Sequence, residues 1–388
     1  MSTRKPYVEA CDFVRSVTLI SMVAVHATWY MANGGKWVGA SVILAILHYT
    51  RESFMALTGF VLTYSLYDQS IHWGHTLWRR YRLVLLPYLF WSAAYMVMFR
   101  HFPDVSAFII KYLKNLLHGG AWFHLYYLLV TMQFYLVLPL FLRLMRWGRH
   151  YPWRVIGGAF LFQFILMAYD QYGIGPHPHG LNLYTGEEVW TYTAYFVMGG
   201  VGALHWTRLR AWLASHRGAI ALMSGAAALV MLAQFFVETY RAHNMARADS
   251  VVQPAMIPWA SAVIVLLAAI GTRYEARRPS QSSRWPIIKP IADLSFGIYL
   301  VHPMLLQWWT DLLASYGFYH PSYLLDATTV LLLVTTSFLA AWGISRTPIS
   351  PWIIGRSAIP PGFGRGLTRS SSVWKGVTTR LRRKHRLR

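Results

Sequence analysis

An arginine and a histidine share one face of the first long apolar segment of the chain. Arg15 opens this segment and His26 follows eleven residues later. Because successive helical residues turn by about 100° and rise by about 1.5 Å, the two side chains fall on the same helix face, roughly 16 Å apart along the axis. Ionisable groups at membrane depth commonly mark functional sites, and a neutral imidazole there is a candidate general base. The alternative interpretation is a histidine that only forms a hydrogen bond within a helix bundle.

The second apolar segment carries an adjacent pair of opposite charges, Arg51 and Glu52. Neighbouring helical residues project about 100° apart, so the two side chains do not face each other. Each therefore needs a partner on another helix or in a bound ligand, and we expect both to lie along a substrate path. A structural ion pair between helices is the alternative. In the same segment, Thr58 and Gly59 predict close packing against another helix.

Two arginines, Arg79 and Arg82, lie on one face at the start of the third apolar segment. Pro87 interrupts the helical hydrogen bonding further along this segment. Paired guanidinium groups at a helix end are suited to binding a phosphorylated donor. The general enrichment of arginine on the cytoplasmic side of membrane proteins explains them equally well.

Two further groups of polar residues predict the lining of a cavity. His124, Tyr127 and Thr131 fall on one face at the start of the fourth segment, where an interfacial aromatic belt is the simpler interpretation. Ser295, Tyr299 and His302 have the spacing i, i+4 and i+7 and form a polar stripe on an otherwise apolar helix. Ring faces and hydroxyl groups of this kind suit a sugar.

The sequence predicts no metal site and no disulfide. His177 and His179 each have proline neighbours and no obvious third ligand, so we expect their loop to cover a substrate entrance instead. The single cysteine, Cys11, excludes an internal disulfide and a cysteine-based zinc site.

The composition is that of an all-α integral membrane protein. The chain has 388 residues, of which 55% are hydrophobic and only 13% are charged, which excludes an ordinary soluble globule. Each of ten segments is near the roughly 20 residues that cross a bilayer. We predict a bundle of about ten transmembrane helices, at 13–32, 41–66, 79–99, 123–143, 154–171, 189–205, 218–238, 252–272, 290–312 and 323–345.

The distribution of positive charge predicts the orientation of this bundle. The chain has 36 Lys and Arg residues against 14 Asp and Glu. Most of these cations fall on one side of the membrane when the N-terminus is placed in the cytoplasm, so we expect both termini to be cytoplasmic. Because the first apolar segment is long and contains Arg15 and His26, we interpret it as a retained helix and not as a signal peptide.

The chain divides into a membrane domain, 1–345, and a basic tail, 346–388. The tail contains several prolines and glycines and ends in a dense run of Arg and Lys. We expect it to be largely disordered and to bind anionic lipid headgroups. Nucleic acid is not an expected partner, because the anionic membrane surface is nearer.

The order of these motifs resembles the membrane acyltransferase-3 family. The resemblance covers spans one to four and nine, and each motif alone is weak. The residues that carry it are Asp12-x-x-Arg15 with His26, Phe54-Met55-Ala56-Leu57-Thr58-Gly59-Phe60, Arg79-Arg80-x-Arg82 followed by Pro87, and Leu294-Ser295-Phe296-Gly297-Ile298-Tyr299-Leu300-Val301-His302.

The resemblance implies a multi-pass enzyme of the plasma or inner membrane that transfers an acyl group, usually acetyl, from cytoplasmic acyl-coenzyme A to a hydroxyl of an envelope or exported carbohydrate or glycolipid. It implies no permanently bound cofactor. His26 and Arg15 are then the expected catalytic residues, with His26 acting as general base or carrying the acyl group itself. The remaining roles are donor binding by Arg79 and Arg82, and lining of the substrate path by Arg51, Glu52, His124, Tyr127, Tyr299 and His302.

Three departures from the family pattern bear on the acceptor. Where the family has His-Leu-Trp-Phe-Leu, this chain has His124-Leu125-Tyr126-Tyr127-Leu128. Later in that segment the family often has a glutamate, and here Gln133 lies near that position. Thr58 stands where the family pattern has a serine. Arg51 and Glu52 resemble a branch that includes proteins assigned to polysaccharide export or succinylation. A polysaccharide exporter or flippase of the same fold is therefore the alternative function.

Overall fold

The computed structural model describes residues 5–32, 38–69, 71–172, 186–243, 248, 250–276, 288–318 and 322–356. Within these ranges all regular secondary structure is helical, which confirms the all-α prediction for this part of the chain. The predicted His177 and His179 loop lies outside the described residues.

Fourteen α-helices are present in the described ranges, together with one 3₁₀ turn, Val189–Tyr192. We number them α1 (Ala10–Met31), α2 (Val38–Leu47), α3 (Thr50–Leu66), α4 (Trp73–Phe99), α5 (Val105–His118), α6 (Tyr126–His150), α7 (Pro152–Tyr172), α8 (Thr193–Leu204), α9 (Trp206–Ser215), α10 (Arg217–Ala242), α11 (Met256–Ala276), α12 (Ile288–Ser315), α13 (Tyr323–Ile344) and α14 (Ser350–Ile353).

Seven of the described helices, α1, α4, α6, α7, α10, α11 and α13, are long and apolar enough to cross a membrane. The other three predicted spans have a different form. The segment 41–66 is two helices, α2 and α3, that meet at residues 48 and 49, and 189–205 is a 3₁₀ turn followed by the 12-residue α8. The segment 290–312 lies within α12, a 28-residue helix that also contains Lys289, Asp293 and Asp311 and is not among the seven. The total of ten crossings and the side of the termini stay predictions.

Helix α1 lies at the centre of the bundle, where it contacts α2, α3, α11, α12 and α13. Hydrogen bonds fix its rotation along its length. The Ser16 hydroxyl donates to the backbone oxygen of Ile288 at 2.8 Å, Thr18 bonds Ser53 at 2.9 Å, and Thr28 donates to Asp326 at 2.8 Å. Hydroxyl bonds of this kind position helices in an apolar bundle, where van der Waals packing alone is less directional. They fix the direction in which the face with Arg15 and His26 points.

Helices α3 and α8 touch backbone to backbone through glycines. A Cβ atom at Gly59 would lie 2.2 Å from the Phe196 backbone oxygen, and one at Gly199 would lie 1.8 Å from that of Ala56. Only glycine allows an approach this close. This contact confirms the close packing predicted for Thr58 and Gly59, and it fixes α3, which carries Arg51.

Helix α5 was not among the predicted spans because its 14 residues are too few to cross a bilayer. The Asp104 carboxylate caps its first turn by accepting from the Ala107 backbone N–H at 2.7 Å. Gly119 ends the helix with φ of 67°, in the left-handed region. The exposed side chains of Ile109, Ile110 and Leu113 give α5 the apolar face of a helix that lies in a membrane interface.

The first eleven residues of the predicted tail, 346–356, fold back against the bundle, and we call them the C-terminal strap. The Trp91 indole on α4 donates to the Ile353 backbone oxygen at 2.8 Å, and the Arg356 guanidinium approaches the Asp293 carboxylate to 4.0 Å. Burial of Ile354 adds apolar contact. These contacts, which involve distant parts of the chain, order residues whose local composition predicts disorder. Residues 357–388 lie outside the described ranges.

Candidate functional site

A cavity of about 640 Å³ lies between α1, α3, α4, α6 and α12. Its described lining includes two arginines, Arg15 and Arg51, and three histidines, His26, His48 and His124. No described lining residue is acidic. The remaining surface is mainly aromatic and aliphatic. The cavity is therefore electropositive and otherwise largely apolar.

His26 on α1 forms a hydrogen bond with His302 on α12. Its Nδ1 lies 2.7 Å from His302 Nε2. The ring centroids are 5.0 Å apart and the ring planes differ by 4°. So short a nitrogen contact at that centroid distance requires both nitrogens to lie near the line that joins the centroids. The rings are therefore nearly coplanar, with an in-plane N–H···N bond.

The surroundings of His302 decide which nitrogens carry protons. His302 Nδ1 lies 3.2 Å from the Ile298 backbone oxygen, which can only accept, so Nδ1 is the protonated nitrogen. In neutral His302, Nε2 is then an acceptor, and His26 Nδ1 must donate to it. Neutral His26 consequently has its unprotonated nitrogen, Nε2, as the one left for a ligand. A hydrogen bond from one ring nitrogen sets the chemistry of the other.

His302 does not line the cavity, in contrast to the sequence-based prediction. Its side chain is 0% exposed, whereas Ser295 and Tyr299 on the same stripe do line the cavity. The His26 ring lies between His302 and the cavity, because α1 packs directly on this part of α12. The position of His302 is that of a partner for His26 and not of a substrate contact.

Arg15 lines the cavity with His26, as their shared helix face predicts. No hydrogen bond or ion pair joins its guanidinium to a described residue. Nearby Asp12 is bound elsewhere, since its carboxylate accepts from the Tyr7 hydroxyl at 2.6 Å and lies 3.6 Å from Lys289 Nζ. Arg15 therefore faces the cavity as an uncompensated cation.

Arg51 lines the cavity and Glu52 does not. Arg51 Nη1 donates to the Tyr126 hydroxyl at 2.9 Å, and its guanidinium lies 5.9 Å from the centre of the Tyr192 ring. Glu52 is 1% exposed, and its Oε2 has no partner among the described residues. The pair does not form an ion pair, in keeping with their divergent directions on the helix.

His124, Tyr127 and Tyr299 also line the cavity. The Tyr299 hydroxyl donates to the His124 backbone oxygen, which joins α12 to the start of α6. The His124 side chain is buried, and neither ring nitrogen has a partner among the described residues. Its hydrogen-bonding capacity is therefore unused among the described residues. Gln133, by contrast, uses its amide to bind the backbone of Glu187 and Val189.

Arg79 and Arg82 do not reach the cavity. Both side chains are exposed, while Leu83 and Val84, directly after them, form part of the lining. Arg80, which sequence reasoning passed over, is half-buried and interacts electrostatically with the lining residue Tyr135. Its position follows from the helix period, since around the helix it lies about 100° from Arg79 and about 160° from Arg82.

Sequence reasoning also missed His48 and Gly355, which line the cavity. Gly355 belongs to the C-terminal strap, so only the folded chain brings it to the first helix. Among the described residues no group of histidine, cysteine or acidic side chains has the arrangement of a metal site.

Comparison with known proteins places the chain in a family. Residues 8–346 match the acyltransferase-3 family model, whose description is "Acyltransferase domain". Neither the curated proteins nor the solved structures contain a match. The match spans the bundle from just before α1 to the start of the C-terminal strap and includes every residue of the candidate site except Gly355. This chain is therefore a member of the acyltransferase-3 family of membrane proteins.

Proposed function

We propose that this protein is a plasma- or inner-membrane O-acyltransferase that moves an acyl group, acetyl in the simplest case, from cytoplasmic acyl-coenzyme A to a hydroxyl of an envelope or exported carbohydrate. One observation carries the proposal. His26 faces an electropositive cavity with Nδ1 bonded to His302, which leaves Nε2 as a base.

The donor would enter along the face of α1. Arg15 and His26 are separated by eleven residues, or roughly 16 Å of helix. The pantetheine arm of coenzyme A is an extended, uncharged chain that can cover such a distance, with phosphates at one end and the thioester at the other. Arg15 would bind a phosphate group while the thioester reaches His26. The exposed Arg79 and Arg82 directly precede the lining residues Leu83 and Val84, so we assign them to the nucleotide end of the donor.

His26 would act as a general base on the acceptor. Nε2 takes the proton of the attacking hydroxyl, a C–O bond forms at the thioester carbonyl, and the C–S bond breaks. The leaving thiolate of coenzyme A receives the proton from the His26 imidazolium. While His26 is charged, the acceptor nitrogen of His302 stabilises its Nδ1–H. In the alternative route, the same Nε2 attacks the thioester carbonyl first and the C–S bond breaks to release the coenzyme A thiolate. The hydroxyl then takes the acyl group from Nε2, and its proton passes to the thiolate.

Two other parts of the lining suit this reaction. The unpartnered ring of His124 could donate to the oxyanion that forms on the thioester carbonyl, because one of its nitrogens is a donor in either tautomer. The rings of Tyr126, Tyr127 and Tyr299 offer flat faces and hydroxyls of the kind that bind sugars.

The test is transfer of labelled acetyl from acetyl-coenzyme A by purified protein in lipid nanodiscs, with membrane glycan extracts as acceptor. We expect His26→Ala to reduce transfer by at least about 100-fold, because a positioned base contributes on this order. His216→Ala is the matched control, since His216 is exposed at the start of α10. Full transfer by His26→Ala contradicts the assignment.

The exporter alternative separates cleanly in a binding experiment. An acyltransferase is stabilised against heat by millimolar coenzyme A, because a ligand that binds only the folded state raises the unfolding temperature. An exporter predicts glycan translocation with no such stabilisation.

A further inference from the structure

We propose that the Arg51 side of the cavity is a binding site for an oxyanion, a carboxylate or phosphate, that the substrates carry in addition to the phosphates of coenzyme A. This inference rests on the proposed function. It assigns the chemical class of group that Arg51 recognises.

The first argument is that no described carboxylate forms an ion pair with Arg51. Its neighbour Glu52 does not pair with it, and no described carboxylate lies within ion-pair distance of its guanidinium. Its described polar contacts are the Tyr126 hydroxyl and the face of the Tyr192 ring. Glu52 acts on Arg51 only from beyond ion-pair distance, and a neutral hydroxyl and a ring face do not neutralise a buried guanidinium. A bound anion is therefore the expected compensation.

The second argument is the geometry of the guanidinium. Tyr126 occupies Nη1, while Nε is buried and has no partner among the described residues. No described group bonds Nη2. The Nε and Nη2 edge is one of the two sides of a guanidinium that bind a carboxylate or phosphate with two parallel hydrogen bonds. The protein thus fixes one part of Arg51 and leaves the Nε and Nη2 edge without a partner among the described residues.

The third argument is the division of charge within the cavity. The described lining has two arginines and no acid. Arg15 lies at the end of α1 where the phosphates of a cytoplasmic donor would enter, and Arg51 contacts Tyr126 at the opposite end of the predicted membrane domain. Coenzyme A phosphates bound at Arg15 leave Arg51 uncompensated, so a second anion is needed.

Two substrates could supply this anion. An acidic sugar or phosphate on the acceptor would enter from the side of Tyr126, and the far carboxylate of a dicarboxylic acyl group would arrive with the donor. Both present the same chemistry to Arg51, and experiments with matched ligands distinguish them.

The first experiment measures thermal stabilisation of the purified full-length protein by glucuronate and by glucose, which differ in charge at one carbon. We expect saturable stabilisation by glucuronate only. In Arg51→Gln the apparent Kd should rise by about tenfold to a hundredfold, as for loss of a charged hydrogen bond. Arg51→Lys should lie between the two, because it keeps the charge without the bidentate edge.

Arg15→Gln is the matched control and separates this inference from the proposed function. It should lose stabilisation by coenzyme A and keep that by glucuronate, whereas Arg51→Gln should show the reverse pattern. Loss of both responses in Arg51→Gln, with an unchanged monodisperse elution profile, assigns Arg51 a general structural role and overturns the inference. If coenzyme A does not stabilise the wild-type protein, the proposed function is overturned and the inference about Arg51 is not.

The second experiment identifies the source by comparing binding of succinyl-coenzyme A and acetyl-coenzyme A. A preference of about tenfold or more for the succinyl donor, abolished in Arg51→Gln, assigns the anion to the acyl group. Equal affinities in both proteins, with Arg51-dependent glucuronate binding, assign it to the acceptor. If neither ligand shows dependence on Arg51, the oxyanion site does not exist.

Discussion

At the scale of single residues, the candidate site depends on the tautomer of one imidazole, His26. That tautomer is set by a hydrogen bond on the side of the ring that faces away from the cavity. Two successive hydrogen bonds, from His302 to the Ile298 carbonyl and from His26 to His302, determine which nitrogen of His26 is a base. His302 would contact no substrate, so it is a positioning residue. Its effect on the reaction is transmitted only through the ring of His26.

Substitution of His302 should therefore affect turnover more than donor binding. His302→Leu removes the acceptor for His26 Nδ1–H, and we expect kcat to fall by about 100-fold with little change in KM for acyl-coenzyme A. His302→Gln supplies an amide oxygen as acceptor and should retain activity to within about tenfold. The assay is labelled acyl transfer at varied donor concentration.

A spectroscopic measurement tests the same assignment without an acceptor substrate. ¹⁵N NMR of histidine-labelled protein should find His26 protonated at Nδ1 in the wild type and in His302→Gln, but as a mixture of tautomers in His302→Leu. A single, unchanged tautomer in all three proteins would show that His302 does not select it.

The sequence predicted the placement of a site residue only where its partners lie close to it along the chain. Arg15 and His26 share a helix, so the period alone placed them on one face. The bond between His26 and His302 joins residues far apart in sequence, and no local pattern distinguishes a cavity-lining histidine from one behind it. The arginine motif was interpreted from Arg79 and Arg82, although Arg80 is the member that turns inward.

At the scale of secondary structure, the Arg51 side of the site is held by a helix that begins at a break in the chain. The predicted second span is divided between α2 and α3, and Arg51 lies in the first turn of α3 next to the break. Hydropathy identifies apolar segments but does not report where a helix stops within one. The helical form of the ten apolar segments was therefore predictable, whereas the interruptions near the cavity and the short helices α5 and α9 were not.

The contact between α3 and α8 provides a stability test with a matched control. In Gly199→Ala the new methyl group would lie 1.8 Å from the Ala56 backbone oxygen, whereas at Gly225 in α10 nothing lies within 4 Å. We expect Gly199→Ala to cost about 1 to 3 kcal/mol and to lower the apparent unfolding temperature by several degrees. Gly225→Ala should be neutral or slightly stabilising, because alanine is the better helix former. Differential scanning fluorimetry in detergent checks both, and equal unfolding temperatures would contradict the glycine contact.

At the scale of the whole molecule, the cavity is closed by residues from both ends of the chain. Gly355 in the C-terminal strap lines it together with Arg15 near the N-terminus. The strap packs on α4 through Trp91 and Ile353. Composition indicated a disordered tail from residue 346. Local composition carries no information about contacts with distant parts of the chain, so it could not predict the strap.

Truncation should distinguish the strap from the basic residues that follow it. A chain that ends at residue 356 should keep its stabilisation by coenzyme A, because all described cavity residues remain. A chain that ends at residue 349 should lose most of it while the long helices stay folded. Thermal shift with coenzyme A measures the first effect and circular dichroism the second. Equal coenzyme A responses in the two chains would exclude the strap from donor binding.

A pair of glycine variants makes the same test without a deletion. Gly355 and Gly317 have positive φ angles of 61° and 70°, so a valine is strained at either position. A Cβ at Gly355 would lie 2.2 Å from the Leu83 backbone oxygen, whereas a Cβ at Gly317 would have no neighbouring heavy atom within 4 Å. We expect Gly355→Val, and not Gly317→Val, to impair coenzyme A binding.

The strap also sets the moment in biosynthesis at which the described cavity wall can first be complete. Membrane proteins are synthesised and inserted from the N-terminus, so α1 with Arg15 and His26 enters the bilayer first. The cavity wall is complete only after residue 355 has left the ribosome. Translation products that stop after α13 would contain His26, its histidine partner and every long described helix, and would still lack the part of the cavity wall that Gly355 forms. Synthesis of the strap would thereby become a condition for the proposed acyl transfer.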